Sequence, residues 1–307
     1  MIRAAVIGAG YVGSFHAEKY AELPGVELVA VVDTSPERAR RLAERLETRA
    51  ETEFRSLLGR IDCASVATPT ALHFPIAREL LAAGVDVLVE KPLARTVPEA
   101  RELVELARRE RRILQVGHLE RFNPAVQALL ALADSPRFVE SQRLVPFAER
   151  GTDVDVVRDL MIHDLDVVLA CVPREVERIE AVGVPVLTGS VDIANVRLRF
   201  AGGSIAQLTA SRVSSKRERR IRLFQADTYV SVDYDARSVR IVRRRRTGDG
   251  FVIESEESGF GEADTLRSEI ESFVRAVRER TEPVIGGEAG LRALALAERI
   301  NACMETA

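Results

Sequence analysis

The segment Gly8-Ala9-Gly10-Tyr11-Val12-Gly13 forms a Gly-x-Gly-x-x-Gly loop, which constrains the fold more than any other part of the sequence. It directly follows an apolar strand pattern and opens a helical pattern. A second apolar run ends at Asp33, 20 residues after Gly13. This order predicts a dinucleotide-binding βαβ unit, which consists of a strand, a glycine-rich loop, a helix and an acidic residue at that distance.

Each part of this loop has a physical role in holding a dinucleotide. Gly8 permits the tight turn, Gly10 lets the backbone approach the pyrophosphate, and Gly13 lets the helix pack closely on the strand. The first turn of the helix, at Tyr11 and Val12, is expected to face the anion. The alternative is a glycine-rich turn without a ligand.

Asp33 indicates which dinucleotide would bind. Its carboxylate is expected to accept hydrogen bonds from the adenosine ribose and to repel a 2′-phosphate, so the sequence favours NAD over NADP. The absence of an arginine between Asp33 and Arg38 agrees with this choice.

The first 121 residues alternate strand and helix patterns. Apolar runs occur at residues 4–8, 28–32, 63–67, 85–89 and 113–116, and helical patterns lie at 36–46, 74–83 and 97–109. Short, nearly continuous apolar strands separated by helices are typical of a parallel sheet covered on both faces. We therefore predict an α/β chain whose residues 1–121 form a doubly wound Rossmann domain.

The pattern changes after about Pro124. Helical patterns lie at 125–133 and 156–172, extended stretches lie at 137–145 and repeatedly between 176 and 253, and two helices follow near 263–280 and 288–304. Neighbouring, hairpin-linked strands predict a large, mostly antiparallel open sheet. Residues 122–307 are expected to form this second, α+β domain.

Composition excludes several classes of partner. The 44 basic and 47 acidic residues nearly cancel, which favours neither nucleic acid nor a membrane surface. The run Arg243–Arg246 is the local exception, interpreted as a solvated strand end or a phosphate patch. Cys63, Cys171 and Cys303 are too scattered for a disulfide or zinc framework. Without a signal peptide or a long apolar run, a cytoplasmic protein is expected.

Two polar elements follow the later strands of the first domain. Thr68 and Pro69, with His73 shortly after, come at the end of the third strand pattern, where the loop can border the cofactor. The alternative is a strand-to-helix turn without a ligand.

Glu90 and Lys91, followed by proline, come at the end of the next strand pattern, beside the expected cofactor cleft, and both are candidates for binding the cofactor. Only three of the 44 basic residues are lysines, and a lysine can release a proton where an arginine cannot. Lys91 is therefore a candidate for proton transfer or for orienting a hydroxyl. A surface lysine at the start of a loop is the alternative.

Asp159 and His163 are four residues apart in a helical pattern, which would place them on one face. A histidine suits a general base that removes a hydroxyl proton, and a carboxylate would orient it. A helix cap beside a buried histidine is one alternative. A zinc site is disfavoured because no third histidine or cysteine lies nearby, so no metal is expected.

Taken in this order, these elements resemble the Gfo/Idh/MocA oxidoreductases, the family of glucose-fructose oxidoreductase and inositol dehydrogenase. The resemblance covers the whole chain. It implies a Rossmann domain, a second domain whose open sheet forms a homodimer or homotetramer interface, and NAD(P)-dependent oxidation or reduction of a sugar or polyol hydroxyl. It also implies that Lys91 is the catalytic lysine, His163 the proton-transfer histidine and Asp159 its partner, all three touching substrate.

Two segments, 117–124 and 158–164, more narrowly resemble bacterial members of that family that oxidise UDP-N-acetylglucosamine to its 3-keto form for lipid A synthesis. This implies that His118, Arg121 and Asn123 lie near the nicotinamide and the sugar. Arg150, or another nearby arginine, would meet the diphosphate. For residues 121–124, a hinge with a helix start is the alternative. An inositol or free-sugar dehydrogenase and a non-catalytic NAD-bound regulator remain alternative functions.

Overall fold

The computed structural model describes residues 1–148, 154–248 and 250–306, and the chain divides into two units. The first comprises residues 1–119 and 264–294, and the second comprises the described parts of 120–263 and 295–307. The predicted assignment of all of 122–307 to one domain is therefore wrong. The cause is the apolar face of a late helix, where Ile270, Phe273 and Val277 join the core of the first unit.

The elements are numbered along the chain. The helices are α1 Tyr11–Glu22, α2 Pro36–Arg45, α3 His73–Ala82, α4 Val97–Arg109, α5 Pro124–Leu132, α6 Ile162–Cys171, α7 Thr265–Glu279 and α8 Gly287–Cys303. The strands are β1 Ile2–Ile7, β2 Val26–Val32, β3 Arg49–Glu51, β4 Cys63–Val66, β5 Asp86–Glu90, β6 Leu114–Gly117, β7 Phe138–Leu144, β8 Val176–Val184, β9 Ile193–Phe200, β10 Ile205–Ser211, β11 Glu218–Gln225, β12 Thr228–Asp233, β13 Ser238–Thr247, β14 Gly250–Gly259 and β15 Glu305–Thr306.

The first unit contains a six-stranded parallel sheet in the order β3-β2-β1-β4-β5-β6. This confirms the doubly wound prediction and adds β3, a three-residue strand that was not predicted. The order reverses beside β1, and ligands of such sheets bind at the carboxyl ends of the strands near that point. The ends of β1, β4 and β5 lead into Gly8, Thr68 and Lys91, so these three residues follow neighbouring strands.

The core of the first unit lies between this sheet and several helices. Ala17 and Tyr20 of α1 pack with Val6 of β1 and Leu88 of β5, and α7 adds Phe273. The cap of α2 is local: Ser35 at the N-cap accepts a hydrogen bond from a backbone N–H. Burial of these apolar side chains fixes α1, and with it the glycine-rich loop, against β1.

The second unit contains a nine-stranded sheet in the order β14-β13-β12-β11-β7-β10-β9-β8-β15. All pairs are antiparallel except β7 with β10 and β8 with β15, which confirms the mostly antiparallel prediction. Burial alternates along β7 and β9, as expected for a sheet with one covered face. Helices α5 and α6 and the end of α8 cover that face.

One predicted helix of the second unit differs from the structure. Residues Val157–Met161 form a π-helical turn, and the α-helix begins only at Ile162. The prediction of one α-helix over 156–172 is therefore wrong at its start. Asp155 caps this turn through one carboxylate oxygen, which accepts hydrogen bonds from the N–H groups of Val157 and Arg158, each at 3.0 Å.

The arginine run lies in β13, which is longer than the pattern indicated. Arg244 pairs with Asp227, and Arg245 pairs with Glu254 of β14 at 2.6 Å. The side chains of Arg243–Arg246 are half-buried or exposed, which favours the solvated strand end. Within the described ranges, no helix combines the length and apolar character needed to cross a bilayer.

Candidate functional site

The glycine-rich loop turns between β1 and α1 in a conformation that side chains would obstruct. Gly8 has a φ of +104°, and a Cβ there would lie 2.3 Å from the carbonyl oxygen of Ala67. A Cβ on Gly13 would lie 1.8 Å from the carbonyl oxygen of Gly8. Gly10, by contrast, has nothing within 4 Å of its Cβ position. The loop is therefore closely packed at Gly8 and Gly13 and open at Gly10, as a phosphate-binding loop requires.

The helix that follows is open at its N-terminus. Gly10 is the N-cap of α1 and offers no side chain to the first N–H groups. These groups, including those of Tyr11 and Val12, carry the positive end of the helix dipole. Tyr11 is 67% exposed, and its ring packs on Phe15 with ring centroids 5.0 Å apart.

Five predicted cofactor residues line one cleft of the first unit, about 550 Å³ in volume: Gly8, Gly10, Asp33, Thr68 and Pro69. The hydroxyl of Thr68 is buried without a hydrogen-bond partner among the described residues. Buried polar groups are normally bonded, so this hydroxyl is available to a polar group of a ligand. With the open helix end, it makes the cleft fit a dinucleotide.

Asp33 is held by three groups of its own unit. Its Oδ2 accepts the Ala9 N–H at 2.9 Å, and its Oδ1 accepts the Ser35 N–H at 2.8 Å and Arg38 Nη2 at 2.7 Å. Burial opposes ionisation of Asp33, but these hydrogen bonds outweigh it and lower the pKa of the carboxyl. Although no arginine precedes Arg38 after Asp33, the first turn of α2 brings the Arg38 guanidinium onto the Asp33 carboxylate.

His73 does not offer its ring to the cleft. It is 1% exposed, its Nδ1 lies 2.8 Å from the carbonyl oxygen of Pro92, and its Nε2 lies 2.9 Å from that of Thr68. Burial lowers the pKa of His73, although both carbonyls act in the opposite direction. A neutral imidazole has one N–H, so it donates to one carbonyl at a time. The geometry indicates a residue that ties two loops together.

Glu90 and Lys91 occupy the end of β5. Glu90 Oε1 lies 3.0 Å from His16 Nε2, and Glu90 Oε2 accepts the Lys91 N–H at 3.2 Å. Burial opposes ionisation of Glu90, but the hydrogen bond from His16 and the charge of Lys91 lower the pKa of Glu90. Lys91 is half-buried. Glu90 thus anchors the backbone of the candidate catalytic lysine.

Asp159 and His163 lie in the second unit and are both half-buried. Asp159 belongs to the π-helical turn and His163 to the first turn of α6. The two residues are four positions apart across the junction of the π-helical turn and α6, and their pairing remains a prediction. π-helical turns are frequent at functional sites.

The carboxylates after His163 belong to buried ion pairs. Asp164 receives Arg143 Nε at 2.8 Å and Nη2 at 3.0 Å, and both side chains are almost fully buried. Arg143 Nη1 also donates to Glu120 at 3.0 Å. Asp166 lies 3.4 Å from Arg121 Nη1. These pairs fix α6, and with it His163, against β7 and the segment before α5.

Three predicted substrate residues have different surroundings. Asn123 is 5% exposed and is the N-cap of α5, where its Oδ1 accepts the Ala125 N–H at 3.0 Å. The helix start proposed for 121–124 is therefore present. His118 is 1% exposed, and Arg121 is held by its aspartate partner. Arg150 lies outside the described residues.

Sequence reasoning missed two groups around these sites. His16 lies three residues after Gly13, on the buried face of α1, and Arg143 lies inside β7. His16 could have been predicted, because a histidine at a buried helical position is a usable signal. Arg143 could not, because its partners are 21 and 23 residues away in the chain.

Comparison with known proteins extends over both units. The family described as "Oxidoreductase family, NAD-binding Rossmann fold" (GFO_IDH_MocA) matches residues 2–118, and "GFO/IDH/MocA C-terminal domain" matches residues 137–228. UDP-N-acetylglucosamine 3-dehydrogenase from Acidithiobacillus ferrooxidans is 37% identical and covers 99% of this chain and 97% of its own length.

A solved structure of the UDP-N-acetylglucosamine 3-dehydrogenase from Acidithiobacillus ferrooxidans superposes with a TM-score of 0.93 at 38% identity, over 99% of this chain and 98% of that one. Inositol 2-dehydrogenase from Rhizobium meliloti is 27% identical, over 97% of this chain and 95% of its own length. The cleft described above lies within the part matched by the NAD-binding family.

Proposed function

Because the chain belongs to the GFO/IDH/MocA oxidoreductase family, with an NAD-binding Rossmann fold, we propose that it oxidises a secondary hydroxyl of a sugar nucleotide. The proposed substrate is UDP-N-acetylglucosamine, oxidised at C3 to a 3-keto sugar that enters lipid A synthesis. The observation that carries the proposal is 37% identity, along 99% of the chain, to an enzyme named for that reaction.

The chemistry divides between a hydride and a proton. Bound NAD would supply the acceptor for the hydride of C3, and the proton of the 3-hydroxyl needs a base. We assign the proton to His163, since an imidazole is the side chain best suited to exchange a proton near neutral pH, with Asp159 positioning it. Lys91 polarises the hydroxyl oxygen. The support for Lys91 is its place beside the anchored Glu90 at the end of β5.

The cofactor would be held by the cleft of the first unit. The pyrophosphate would meet the first N–H groups of α1, and the ribose would meet Asp33 and the Thr68 hydroxyl. For His73 and Glu90 we propose supporting roles, since their polar atoms bind other parts of the protein. For the sugar and diphosphate we propose His118, Arg121, Asn123 and Arg150, with Asn123 acting also as the cap of α5.

The test is turnover with defined substrates. Protein and NAD are incubated with UDP-N-acetylglucosamine, myo-inositol or glucose, and NADH absorbance is followed. UDP-N-acetylglucosamine deuterated at C3 should place deuterium on the reduced cofactor, detected by mass spectrometry. Turnover of myo-inositol alone would instead support the alternative drawn from the 27% identical relative. No turnover of any of them, with NAD bound, would support a non-catalytic regulator.

The role of Lys91 is tested by two substitutions. Lys91→Ala should abolish turnover, and Lys91→Arg should restore charge but little activity, because the planar guanidinium is larger and presents its donors in a different geometry. Both variants should bind NADH as the wild type does. Lys216→Ala, at an exposed lysine of the second unit, is the matched control. Full activity in Lys91→Ala would remove the assigned role.

We further propose a cytoplasmic homodimer or homotetramer assembled through the nine-stranded sheet. The support is that the helices of the second unit cover one face of this sheet, while the residues of β7 and β10 on the other face remain half-buried. Analytical ultracentrifugation distinguishes the assemblies from a monomer. The thiols Cys63, Cys171 and Cys303 are free, as expected in a reducing compartment.

A further inference from the structure

A chain of polar side chains runs through the interior of the first unit to Glu90. Tyr20 Oη lies 2.9 Å from Ser65 Oγ, which lies 3.1 Å from His16 Nδ1, and His16 Nε2 lies 3.0 Å from Glu90 Oε1. An ionised Glu90 can only accept, so His16 Nε2 carries the hydrogen. Its Nδ1 then accepts from Ser65, which accepts from Tyr20. With a neutral His16, each polar side chain in this series has a hydrogen-bond partner.

A second carboxyl group lies beside this chain with very different surroundings. Glu269 of α7 is 0% exposed, and neither of its oxygens has a hydrogen-bond partner among the described residues. A carboxylate oxygen of Glu269, a ring nitrogen of His16 and a carboxylate oxygen of Glu90 all lie within 4.8 Å of one another. Two carboxylates sharing one interior site cannot both be ionised without compensation.

The hydrogen bonds decide which of the two keeps a proton. Glu90 receives hydrogen bonds from His16 and from the Lys91 N–H, and both favour its charged form. Glu269 receives none from the described residues, so its charged form has no such support. The asymmetry places the negative charge on Glu90.

We propose that Glu269 is a neutral carboxylic acid in the folded protein, and that it and His16 position the ionised Glu90 next to Lys91. The inference deepens the proposed function and rests on it for the role of Lys91. Burial, and then the charge of Glu90, raise the pKa of Glu269 well above its usual range, in agreement with this assignment. Glu269 and His16 are positioning residues.

The proton on Glu269 is tested without any turnover. An infrared spectrum of the wild-type protein at neutral pH should contain a protonated carboxylic acid band that Glu269→Gln removes. Glu271→Gln, at an exposed position of the same helix, is the matched control and should leave the band. An unchanged band in Glu269→Gln would overturn the proposal, whatever the substrate of the enzyme is.

The pH dependence of stability gives a second measure. The folded protein keeps a proton that the unfolded chain loses above a pKa of about 4.3. Above that pH, the folding equilibrium constant of the wild type should fall relative to that of Glu269→Gln, by up to about tenfold per pH unit. The other groups facing this site are Glu90 from β5, His16 and Tyr20 from α1, Cys63 from β4 and Gln115 from β6. These groups are the same in both proteins. A ratio of the two folding equilibrium constants that does not change with pH would contradict the proposal.

The positioning role is tested by activity. Glu269→Ala should lower kcat by about tenfold or more while NADH affinity stays within about threefold, since misplacement affects chemistry more than cofactor binding. Glu269→Gln should recover most of the lost kcat, because it restores a neutral side chain of the same size. Equal losses in Ala and Gln would overturn the role. So would a stoichiometric divalent metal in the purified protein, because both carboxylates would then be ionised ligands.

Discussion

Replacing Asp33 by serine should change which dinucleotide the protein binds. Asp33 Oδ1 binds Arg38 at 2.7 Å, while its Oδ2 has one partner among the described residues, the Ala9 N–H. Oδ2 therefore retains accepting capacity for a ribose hydroxyl. A hydrogen bond to a charged group contributes about 1.5–3 kcal/mol, so its loss should weaken NADH binding by about 10- to 150-fold.

The same substitution releases Arg38. Its side chain is 53% exposed, so it can turn toward the cleft, which it also lines. A 2′-phosphate carries two negative charges near neutral pH and would gain a charge-assisted hydrogen bond from Arg38, again about 1.5–3 kcal/mol. Affinity for NADPH should therefore rise while affinity for NADH falls. Together the two effects change the preference by about 100-fold or more.

Fluorescence titration with NADH and NADPH measures both affinities directly. The wild type, Asp33→Ser, Arg38→Ala and the double variant form a complete cycle, and the gain in NADPH affinity should vanish in the double variant. Thermal unfolding checks that each variant is folded. Unchanged affinities in Asp33→Ser would refute the contact between Asp33 and the ribose. A gain that persists without Arg38 would refute the role of the arginine.

Three further substitutions test packing and electrostatics. Gly13→Ala should prevent correct folding, since its Cβ would lie 1.8 Å from a backbone oxygen. Gly10→Ala should fold but lose cofactor affinity. Circular dichroism and NADH titration distinguish the two outcomes. Arg143→Met should lower the free energy of unfolding by about 3–5 kcal/mol, because it removes both hydrogen bonds that the buried Asp164 receives from Arg143, whereas Glu120 keeps Arg219 at 3.7 Å. The half-buried Arg222→Met should lower it by less than about 1 kcal/mol, measured by urea unfolding. Asp192 accepts three backbone hydrogen bonds that help to lower its pKa to about 2. The folded protein should therefore lose about 2 kcal/mol of stability as the pH falls from about 4 to 2, and Asp192→Asn should remove that dependence on pH.

Local pattern was sufficient where a function depends on neighbours in the chain. The glycine spacing, the strand before it and Asp33 after it predicted the cleft, because a βαβ unit is built from one continuous segment. The alternation of strands and helices predicted the parallel sheet, and the hairpin-linked strands predicted the antiparallel one, for the same reason.

Local pattern failed where distant segments meet. The return of α7 to the first unit could not be predicted, because the sequence shows only that one face of that helix is apolar and not which core it joins. The π-helical turn before α6 also escaped prediction, since it differs from an α-helix by a single hydrogen-bond step.

Neighbouring residues along the chain were enough to predict a dinucleotide site and to place Lys91 at the end of a strand. The charge states proposed around Lys91 depend instead on contacts between distant segments. Glu269 lies 179 positions after Glu90 in the chain, and folding places the two carboxyl groups in one interior site. A carboxylate's charge state depends on its burial and its hydrogen-bond donors, and these are properties of the folded surroundings, not of the residue's neighbours in the chain.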